Sequence, residues 1–268
     1  MGPFLFPDID PVALELGPFI IRWYSLAYIA GLIGGWQYCM YLSTKVPLVI
    51  TRKQVDDFLV WNIIGVIVGG RLGHVFFYYP GYYLANPVEI FEVWKGGMSF
   101  HGGMLGVTAA MFLYAWRQGL NVLWLSDLVS VAVPMGLGLG RVANFVNQEL
   151  WGRVTDVPWA VIFPRAGLEP RHPSQLYEAA LEGIVLFAIL FYLTHAKQAR
   201  LRPGVLTGTF LIGYALSRSL VEAVREPEIL EATLPFGTTW GQWLSLPMAL
   251  FGIYLIWRAF KKPALKAK

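Results

Sequence analysis

The sequence is poor in charge and in cysteine, and both shortages narrow its function. Charged residues make up 14% of the 268 positions, against about 25% in soluble domains. The single cysteine, Cys39, excludes an internal disulfide framework and a cysteine-based metal cluster. Because Cys39 lies deep in an apolar run, we expect it to pack as a small buried hydrophobic residue. Carboxylates and histidines show no metal-ligand spacing either, so we predict that the protein uses no metal and no other cofactor.

Signatures of several other functional classes are also missing. The sequence has no G-x-S-x-G, no H-E-x-x-H and no pair of intramembrane aspartates, which argues against a membrane-embedded hydrolase or protease. It shows no internal repeat, whereas many secondary transporters are built from inverted repeats. No basic stripe interleaved with aromatic residues lies outside the apolar runs, so we predict no nucleic-acid partner.

Long apolar runs dominate what is present. Apolar residues account for 56% of the chain, and seven runs are long enough to span a bilayer as helices. These runs cover 18–43, 56–79, 98–116, 123–140, 175–194, 204–224 and 239–259. We therefore predict an all-α, polytopic integral membrane protein, a single membrane domain over 1–268 with seven transmembrane helices and a small external segment at 141–174. The first run has no basic segment before it and no cleavage site after it, so we expect a retained helix.

Basic residues between the runs are unevenly divided, which predicts the orientation of the chain. Twelve lie in one set of connections and in the tail: Lys45, Arg52, Lys53, Arg117, Lys197, Arg200, Arg202, Arg258, Lys261, Lys262, Lys266 and Lys268. Six lie in the other set: Lys95, Arg141, Arg153, Arg165, Arg171 and Arg225. Because cytoplasmic loops of membrane proteins are enriched in lysine and arginine, we predict an external N-terminus and a cytoplasmic C-terminus.

Residues 140–152, GRVANFVNQELWG, place polar groups at the point where the fourth apolar run ends. An arginine at the edge of the hydrocarbon is costly without a partner, and a functional role is the default interpretation. The guanidinium of Arg141 offers a planar set of donors that matches a phosphate. A phosphate at the edge of a bilayer most often belongs to a lipid, so Arg141 indicates a lipid-binding site.

Polar residues from several other runs fall at the same depth in this orientation. They are Tyr24, Arg71, His74, His101, Gln175, Tyr177, Glu178, Arg218, Glu222 and Arg225. This depth is in the outer leaflet, and the inner half of the runs has almost no polar groups, which favours a site facing the outer leaflet over a channel. Gly102 and Gly103 follow His101 and either let two helices approach closely or leave room for a lipid head group.

The pattern G-R-x-x-N-x-x-N-x-E-x-x-G at 140–152 resembles the signature of bacterial prolipoprotein diacylglyceryl transferases. Further landmarks of that family occur in order along nearly the whole chain. They are Trp23-Tyr24, Gly70-Arg71, Ser99 to Gly103, Arg171 to Glu178, and Gly213-Tyr214 through Arg218, Glu222, Arg225 and Pro227. Two positions depart from the usual pattern, since Ser25 stands in place of glycine and Glu228 in place of aspartate. Neither is a residue to which we assign chemistry.

The resemblance implies transfer of the sn-1,2-diacylglyceryl group of phosphatidylglycerol to a cysteine thiol in the lipobox of a prolipoprotein signal peptide. The products would be a thioether and glycerol 1-phosphate. The expected partners are therefore phosphatidylglycerol, the prolipoprotein and membrane lipids. The expected location is the bacterial inner (plasma) membrane, with the active site toward the outer leaflet.

The chemistry of this transfer suggests a role for each polar residue. Arginines would stabilise the charge that grows on the departing phosphate, and a base would help to deprotonate the thiol. We expect the catalytic residues to be His101, Tyr214, Arg141 and Arg218. We expect phosphatidylglycerol to be bound by Arg141, Arg218, Asn144, Glu149, Gly152, Tyr24, Arg71 and Gln175.

Structural alternatives stay open for these residues at the level of sequence. Arg141 and Arg218 could pair with Glu149 and Glu222 and simply hold helices together. His101 could be a hydrogen-bonded structural histidine, and Tyr214 an aromatic packing residue. A lipid-binding scaffold without catalysis would need both arginines but would be indifferent to His101.

Overall fold

The computed structural model describes residues 2–7, 9–17, 19–226 and 238–265. These residues form two compact units, one comprising Met1–Tyr38 and Asp127–Lys268, the other Cys39–Ser126. The helices are α1 (Trp23–Leu42), α2 (Arg52–Phe77), α3 (Pro80–Ala85), α4 (Phe100–Gln118), α5 (Val122–Val146), α6 (Ser174–Glu178), α7 (Leu186–His195), α8 (Val205–Glu222) and α9 (Trp240–Phe260). A π-helical turn, Ala179–Val185, joins α6 to α7, so that Ser174–His195 is one continuous helical segment.

Helices lie in all seven predicted apolar runs, and the mostly helical character of the fold is confirmed. Among the described residues, four segments are long and apolar enough to cross a membrane, namely Arg52–Phe77, Val122–Val146, Ser174–His195 and Trp240–Phe260. The total of seven spans stays a prediction. One boundary differs from expectation, because α5 continues to Val146 and makes Arg141 and Asn144 helical. The segment 141–174 therefore begins with the last turns of a helix.

Five short strands were not predicted: β1 (Phe4–Leu5), β2 (Val12–Leu16), β3 (Phe19–Arg22), β4 (Val161–Ile162) and β5 (Pro170–Arg171). The first predicted run, 18–43, thus starts with a strand and becomes helical at Trp23. β2 and β3 form an antiparallel hairpin. The other three strands form a small sheet in the order β1-β4-β5, with β1 parallel to β4. Phe6, Phe163 and Val161 of β4 form a buried apolar cluster at this sheet.

Close glycine contacts set the helix packing in the unit formed by Met1–Tyr38 and Asp127–Lys268. A Cβ added to Gly31 on α1 would lie 2.8 Å from the Cα of Gly136 on α5. A Cβ added to Gly183 in the π-helical turn would lie 2.6 Å from the Cα of Gly138 on α5. Small residues allow such close backbone approach between membrane helices. Because Arg141 lies one turn beyond Gly138, this contact brings Arg141 to the polar side chains of α6 and the π-helical turn.

A buried carboxylate fixes α8 against α5 in the same unit. Asp127 on α5 accepts hydrogen bonds from the backbone nitrogens of Gly204 and Thr207, at 2.8 Å and 2.7 Å. It also accepts one from the Thr207 hydroxyl at 2.7 Å. These donors are the N-cap residue Gly204 and Thr207 in the first turn of α8, where amide groups have no partner within the helix. Asp127 therefore acts as an N-terminal cap supplied by a neighbouring helix.

The unit Cys39–Ser126 is built on a tight antiparallel pair, α2 and α4. Gly65 and Gly73 of α2 meet Gly106 and Gly102 of α4, and an added Cβ at either α2 position would lie within 2.7 Å of backbone atoms. For Gly102, the structure therefore shows the helix-packing role. An added Cβ at Gly103 would come no closer than 3.7 Å, to the carbonyl oxygen of Val66.

Candidate active site

Six charged side chains from three helical regions meet in one buried ion-pair network. The network consists of Arg141, Glu178, Glu182, Arg218, Glu222 and Arg225. It joins the last turns of α5, the α6 segment with its π-helical turn, and the C-terminal end of α8. Glutamates this deeply buried are expected only where cations compensate them. Three buried glutamates, Glu178, Glu182 and Glu222, meet their cations in this network.

Glu178 lies at the centre of the network and is fully buried. Its Oε2 lies 3.2 Å from Nε of Arg141. Its Oε1 accepts a hydrogen bond from Arg218, and lies 3.3 Å from the Arg225 guanidinium. Arg218 also pairs with Glu222 at 2.7 Å, one turn further along α8. A single carboxylate thus orients three arginines from two helices.

The two arginines assigned to the phosphate keep part of their surface. Arg141 and Arg218 are 16% and 15% exposed, whereas Glu178 and Glu182 are 0% exposed. Arg141 reaches both glutamates through Nε, at 3.2 Å and 3.5 Å. The carboxylates that hold the two guanidinium groups are therefore closed to solvent, while part of each arginine side chain stays accessible.

The loop after α5 is folded around Glu149. Its carboxylate accepts hydrogen bonds from the side-chain amides of Asn144 and Asn147, at 2.7 Å and 3.2 Å. The backbone on either side is unusual, since Gln148 and Leu150 have φ of 52° and 59°. Non-glycine residues rarely adopt this left-handed conformation, and functional sites are enriched in such strain. Asn144 and Glu149, both predicted to bind phosphatidylglycerol, are thus hydrogen-bonded to each other, and their role in lipid binding stays a prediction.

Gln175 connects this loop to α6. Its side-chain amide donates to the backbone carbonyl of Glu149 at 2.6 Å, and the residue is fully buried. The neighbouring Ser174 donates from its hydroxyl to the carbonyl of Leu150 at 2.9 Å. Gln175 therefore acts on the loop backbone, and through it on the position of the Glu149 carboxylate.

Gly152 lies where three backbone segments cross. Its amide donates to the carbonyl of His172 at 2.9 Å, and it forms an isolated β-bridge with Arg225. An added Cβ would lie 2.6 Å from both the His172 Cβ and the Val224 carbonyl oxygen. Only glycine fits this crossing, which ties the loop after α5 to the C-terminal end of α8.

His172 lies beside this crossing, just before α6. Its Nδ1 is 3.2 Å from the hydroxyl of Tyr177, which also accepts a hydrogen bond from Nε1 of Trp159 at 2.6 Å. Burial lowers the pKa of the His172 imidazole below its usual value. The neutral ring is therefore favoured, as suits a structural hydrogen bond.

Tyr214 and Tyr24 both lie near the network. Tyr214, one turn before Arg218 on α8, is within electrostatic range of Arg141, Arg218 and Glu182. Tyr24, in the first turn of α1, is within range of Arg141 and Glu149, and its hydroxyl donates to Tyr28 at 3.3 Å. The Gly31–Gly136 contact explains the placement of Tyr24, because the antiparallel helices bring the start of α1 level with the end of α5.

Two predicted site residues, His101 and Arg71, belong to the unit Cys39–Ser126. His101 is exposed in the first turn of α4, which Ser99 caps by accepting a hydrogen bond from the amide of Gly102. Arg71 is buried and donates to the backbone carbonyls of Glu89, Ile90, Gly96 and Gly97. In the structure, the guanidinium of Arg71 thus organises the segment after α3.

The carboxylates of the central network were not predicted from the sequence as site residues. In the sequence, Glu178 is one of ten polar residues expected at one depth, and Glu182 is not among them. The pairing of Arg141 with Glu149 is only the structural alternative to a phosphate site, whereas the alternative pairing of Arg218 with Glu222 is present in the structure. The available signal was the spacing of Glu178 and Glu182, two carboxylates one turn apart at the start of an apolar run. Pro227 and Glu228 lie outside the described residues. Within the described ranges, no group of three or more His, Cys, Asp or Glu is placed to hold a metal ion.

Comparisons with known proteins agree with the resemblance seen in the sequence. The model of the family described as prolipoprotein diacylglyceryl transferase matches residues 11–258. Curated relatives named phosphatidylglycerol–prolipoprotein diacylglyceryl transferase include one from Rhodospirillum centenum, 56% identical over 97% of this chain and 95% of its own length. Another, from Gluconacetobacter diazotrophicus, is 53% identical over 97% and 94%. With a match this extensive, the chain belongs to the prolipoprotein diacylglyceryl transferase family.

Proposed function

We propose that this chain transfers the diacylglyceryl group of phosphatidylglycerol to prolipoproteins at a site built around Arg141 and Arg218. The site assignment rests on two arginines that each form an ion pair with the buried Glu178. Each of them keeps part of its side-chain surface accessible. The acceptor is the cysteine thiol of the lipobox in the signal peptide. The products are a thioether-linked prolipoprotein and glycerol 1-phosphate.

The reaction is a displacement at the lipid carbon that is bonded to the phosphate oxygen. The sulfur forms a bond to this carbon, the carbon–oxygen bond breaks, and its electron pair leaves with glycerol 1-phosphate. Negative charge therefore grows on the phosphate oxygen as the bond breaks. Arg141 and Arg218 stabilise this charge more in the transition state than in the ground state, which is what accelerates a reaction.

The thiol must lose its proton before it attacks. A free cysteine has a pKa of about 8.5, so a base increases the thiolate fraction at neutral pH. We assign this role to His101, whose imidazole is exposed at the start of α4. Tyr214 orients the head group or relays the proton, because its hydroxyl lies within electrostatic range of both arginines.

The remaining predicted residues support the site in different ways. Asn144 holds the Glu149 carboxylate, Gln175 holds the Glu149 backbone, and Gly152 permits the chain crossing behind them. Tyr24 contributes from the start of α1. For Arg71 we propose that its effect on phosphatidylglycerol binding comes through the segment 86–97, since it is bonded to backbone carbonyls of that segment.

The protein is a multi-pass protein of the inner membrane. We propose seven spans with the N-terminus outside and the C-terminus in the cytoplasm, on the strength of the excess of lysine and arginine in one set of connections. This orientation places the end of α5 toward the outer leaflet. Phosphatidylglycerol in that leaflet can then present its phosphate to Arg141 and Arg218.

The test is incubation of the purified protein with phosphatidylglycerol vesicles and a lipobox peptide. We expect a thioether-linked diacylglyceryl peptide and equimolar glycerol 1-phosphate. Arg141→Gln and Arg218→Gln should each lower kcat/KM by about 100-fold or more, the usual loss when a charged transition-state donor is removed. His101→Gln should lower the rate while leaving phosphatidylglycerol binding intact.

The matched control is Arg52→Gln, which removes an exposed arginine at the start of α2 and should leave the rate unchanged. A wild-type protein that binds phosphatidylglycerol but forms no thioether would be a lipid-binding scaffold, and the proposed function would be wrong. Full activity of Arg141→Gln would overturn the assignment of the phosphate site.

A further inference from the structure

The net charge of the ion-pair network determines how strongly it can attract a phosphate. Among the described residues, the network contains three arginines and three glutamates joined by direct ion pairs. If all six groups were ionised, their charges would cancel. A neutral network gives little electrostatic attraction to a phosphodiester, which carries one negative charge. Binding of phosphatidylglycerol, as the proposed function requires, therefore calls for a network with a net positive charge.

The three glutamates are not equivalent in their contacts. Glu178 contacts three arginines, and Glu222 has an ion pair at 2.7 Å with Arg218. Glu182 has one ion pair, with Nε of Arg141 at 3.5 Å, the longest in the network. Within the described part of the chain, neither oxygen of Glu182 meets a donor in good hydrogen-bond geometry, although the residue is 0% exposed, whereas for Glu178 this holds for Oε2 alone.

The helix geometry explains why Glu182 is held less well. Glu182 lies in the π-helical turn Ala179–Val185, next to Gly183, where the backbone contacts Gly138 of α5. The wider π turn changes the register between Glu178 and the residues after it. The Glu178 carboxylate reaches Arg141, Arg218 and Arg225, whereas the one ion pair of the Glu182 carboxylate is with Nε of Arg141.

An ionised carboxylate in this environment is unfavourable. Removing a carboxylate from water without hydrogen bonds costs several kcal/mol in real proteins. The groups that face Glu182 are Glu178 on its own helical segment, Arg141 on α5, and Arg218 and Tyr214 on α8. The two arginines already neutralise Glu178 and Glu222, and the negative charge of Glu178 opposes a second one beside it.

We propose that Glu182 is a neutral carboxylic acid in the working enzyme, and that its proton leaves the network with one net positive charge for the lipid phosphate. Three arginines against Glu178 and Glu222 give a charge of plus one, which matches the single negative charge of a phosphodiester. Glu182 is thereby a positioning residue that acts through Arg141. This inference rests on the proposed function, since it assumes that the network binds phosphatidylglycerol.

A neutral Glu182 also avoids repelling the negative charge that develops on the phosphate during the reaction. The protonated carboxyl remains next to Arg141 while glycerol 1-phosphate gains negative charge in leaving. A second ionised glutamate at this position would repel that product and the transition state that leads to it. The carboxyl of Glu182 therefore tunes how strongly Arg141 attracts phosphate.

The test compares Glu182→Gln with the wild type over a range of pH. Because glutamine has the shape of a neutral glutamic acid, Glu182→Gln should keep the neutral-pH transfer rate within about fivefold, the effect of one neutral hydrogen bond. The wild type should lose phosphatidylglycerol affinity at alkaline pH as Glu182 ionises, seen as a rising KM. The KM of Glu182→Gln should not rise in the same range.

Two further variants serve as controls. Glu178→Gln should lower the transfer rate by about 100-fold or more, because breaking a buried charge pair leaves arginines uncompensated. Glu169→Gln removes a carboxylate that is 68% exposed and should behave as the wild type throughout. Thermal unfolding in detergent confirms that each variant is folded.

Infrared spectroscopy tests the protonation directly and independently of catalysis. The wild type should show the carbonyl band of a protonated carboxylic acid, and Glu182→Gln should lack it. The inference is overturned if that band is absent from the wild type at neutral pH, or if Glu182→Gln loses as much activity as Glu178→Gln. If the wild type transfers no diacylglyceryl group while the band is present, the proposed function fails and the protonation state stands.

Discussion

At the scale of single residues, the site depends on how each charged group is oriented by its neighbours. Glu178 is fully buried and contacts Arg141, Arg218 and Arg225, so its carboxylate fixes three cations at once. Buried ion pairs of this kind contribute little net stability, because desolvation offsets the attraction between the charges. At the proposed site their value would be geometric, since each guanidinium is already oriented before a substrate arrives.

Gly152 gives a sharp test of geometry at one residue. In Gly152→Ala the new methyl group would overlap the His172 Cβ and the Val224 carbonyl oxygen, both 2.6 Å away. We expect a loss of stability of about 1–3 kcal/mol, as for other overpacked positions, and a fall in transfer rate because the loop carrying Glu149 shifts. Thermal unfolding and the thioether assay measure the two effects.

The control is Gly140→Ala, twelve residues earlier in the same motif. An added Cβ at Gly140 would meet nothing within 4 Å, so this variant should keep the wild-type unfolding temperature and rate. Equal behaviour of the two alanine variants would show that the crossing at Gly152 does not constrain the site.

The sequence allowed part of the site to be predicted, and the reason differs from residue to residue. Arg141 and Arg218 stood out because a charged residue in or beside an apolar run needs a partner. The partner of Arg141 was missed because the pairing with Glu178 and Glu182 depends on a π-helical turn. Nothing in the apolar pattern of 175–194 shows where a helix takes up one extra residue per turn.

At the scale of secondary-structure elements, helices were predictable and strands were not. Seven apolar runs gave seven helical regions because length and hydrophobicity are sufficient signals for a helix in a membrane. Strands of two residues, such as Phe4–Leu5, are too short for any alternating pattern. The strand Phe19–Arg22 lies inside the first predicted run, 18–43, because its apolar residues cannot be distinguished by hydrophobicity from those of the helix that follows.

The packing of the π-helical turn on α5 can be tested with one substitution. In Gly183→Ala the added methyl group would lie 2.6 Å from the Cα of Gly138 and would push the two backbones apart. We expect Glu182 to move away from Arg141, and the transfer rate and unfolding temperature to fall together, with a cost of about 1–3 kcal/mol.

Gly136→Ala is the matched control on α5, since an added Cβ there would meet nothing within 4 Å. It should leave both quantities near their wild-type values. If Gly183→Ala behaves in the same way, the close contact between the turn and α5 does not position the network.

At the scale of the whole molecule, the uneven distribution of basic residues predicts which connections face the cytoplasm. Twelve lysines and arginines lie in one set of connections and in the tail, and six in the other. The six include Arg141 and Arg225, which are engaged in the ion-pair network. Arginines held in a buried network do not contribute to the loop charge that sets the orientation. Without these two arginines, the excess of lysine and arginine in the first set of connections is larger than the full count indicates.

Cysteine labelling in intact cells tests this orientation. The single native cysteine, Cys39, is buried and is replaced by alanine to give a cysteine-free background. Leu168, which is 89% exposed in the segment after α5, is then changed to cysteine. In a second variant Gln118, which is exposed at the end of α4, is changed to cysteine instead.

Because the positive-inside rule places 141–174 outside, a membrane-impermeant maleimide should label Leu168→Cys in intact cells and Gln118→Cys only after permeabilisation. Both variants should be labelled equally once the membrane is opened, which controls for reactivity. The reverse pattern would place the network toward the cytoplasmic leaflet, and phosphatidylglycerol would then have to be drawn from that leaflet.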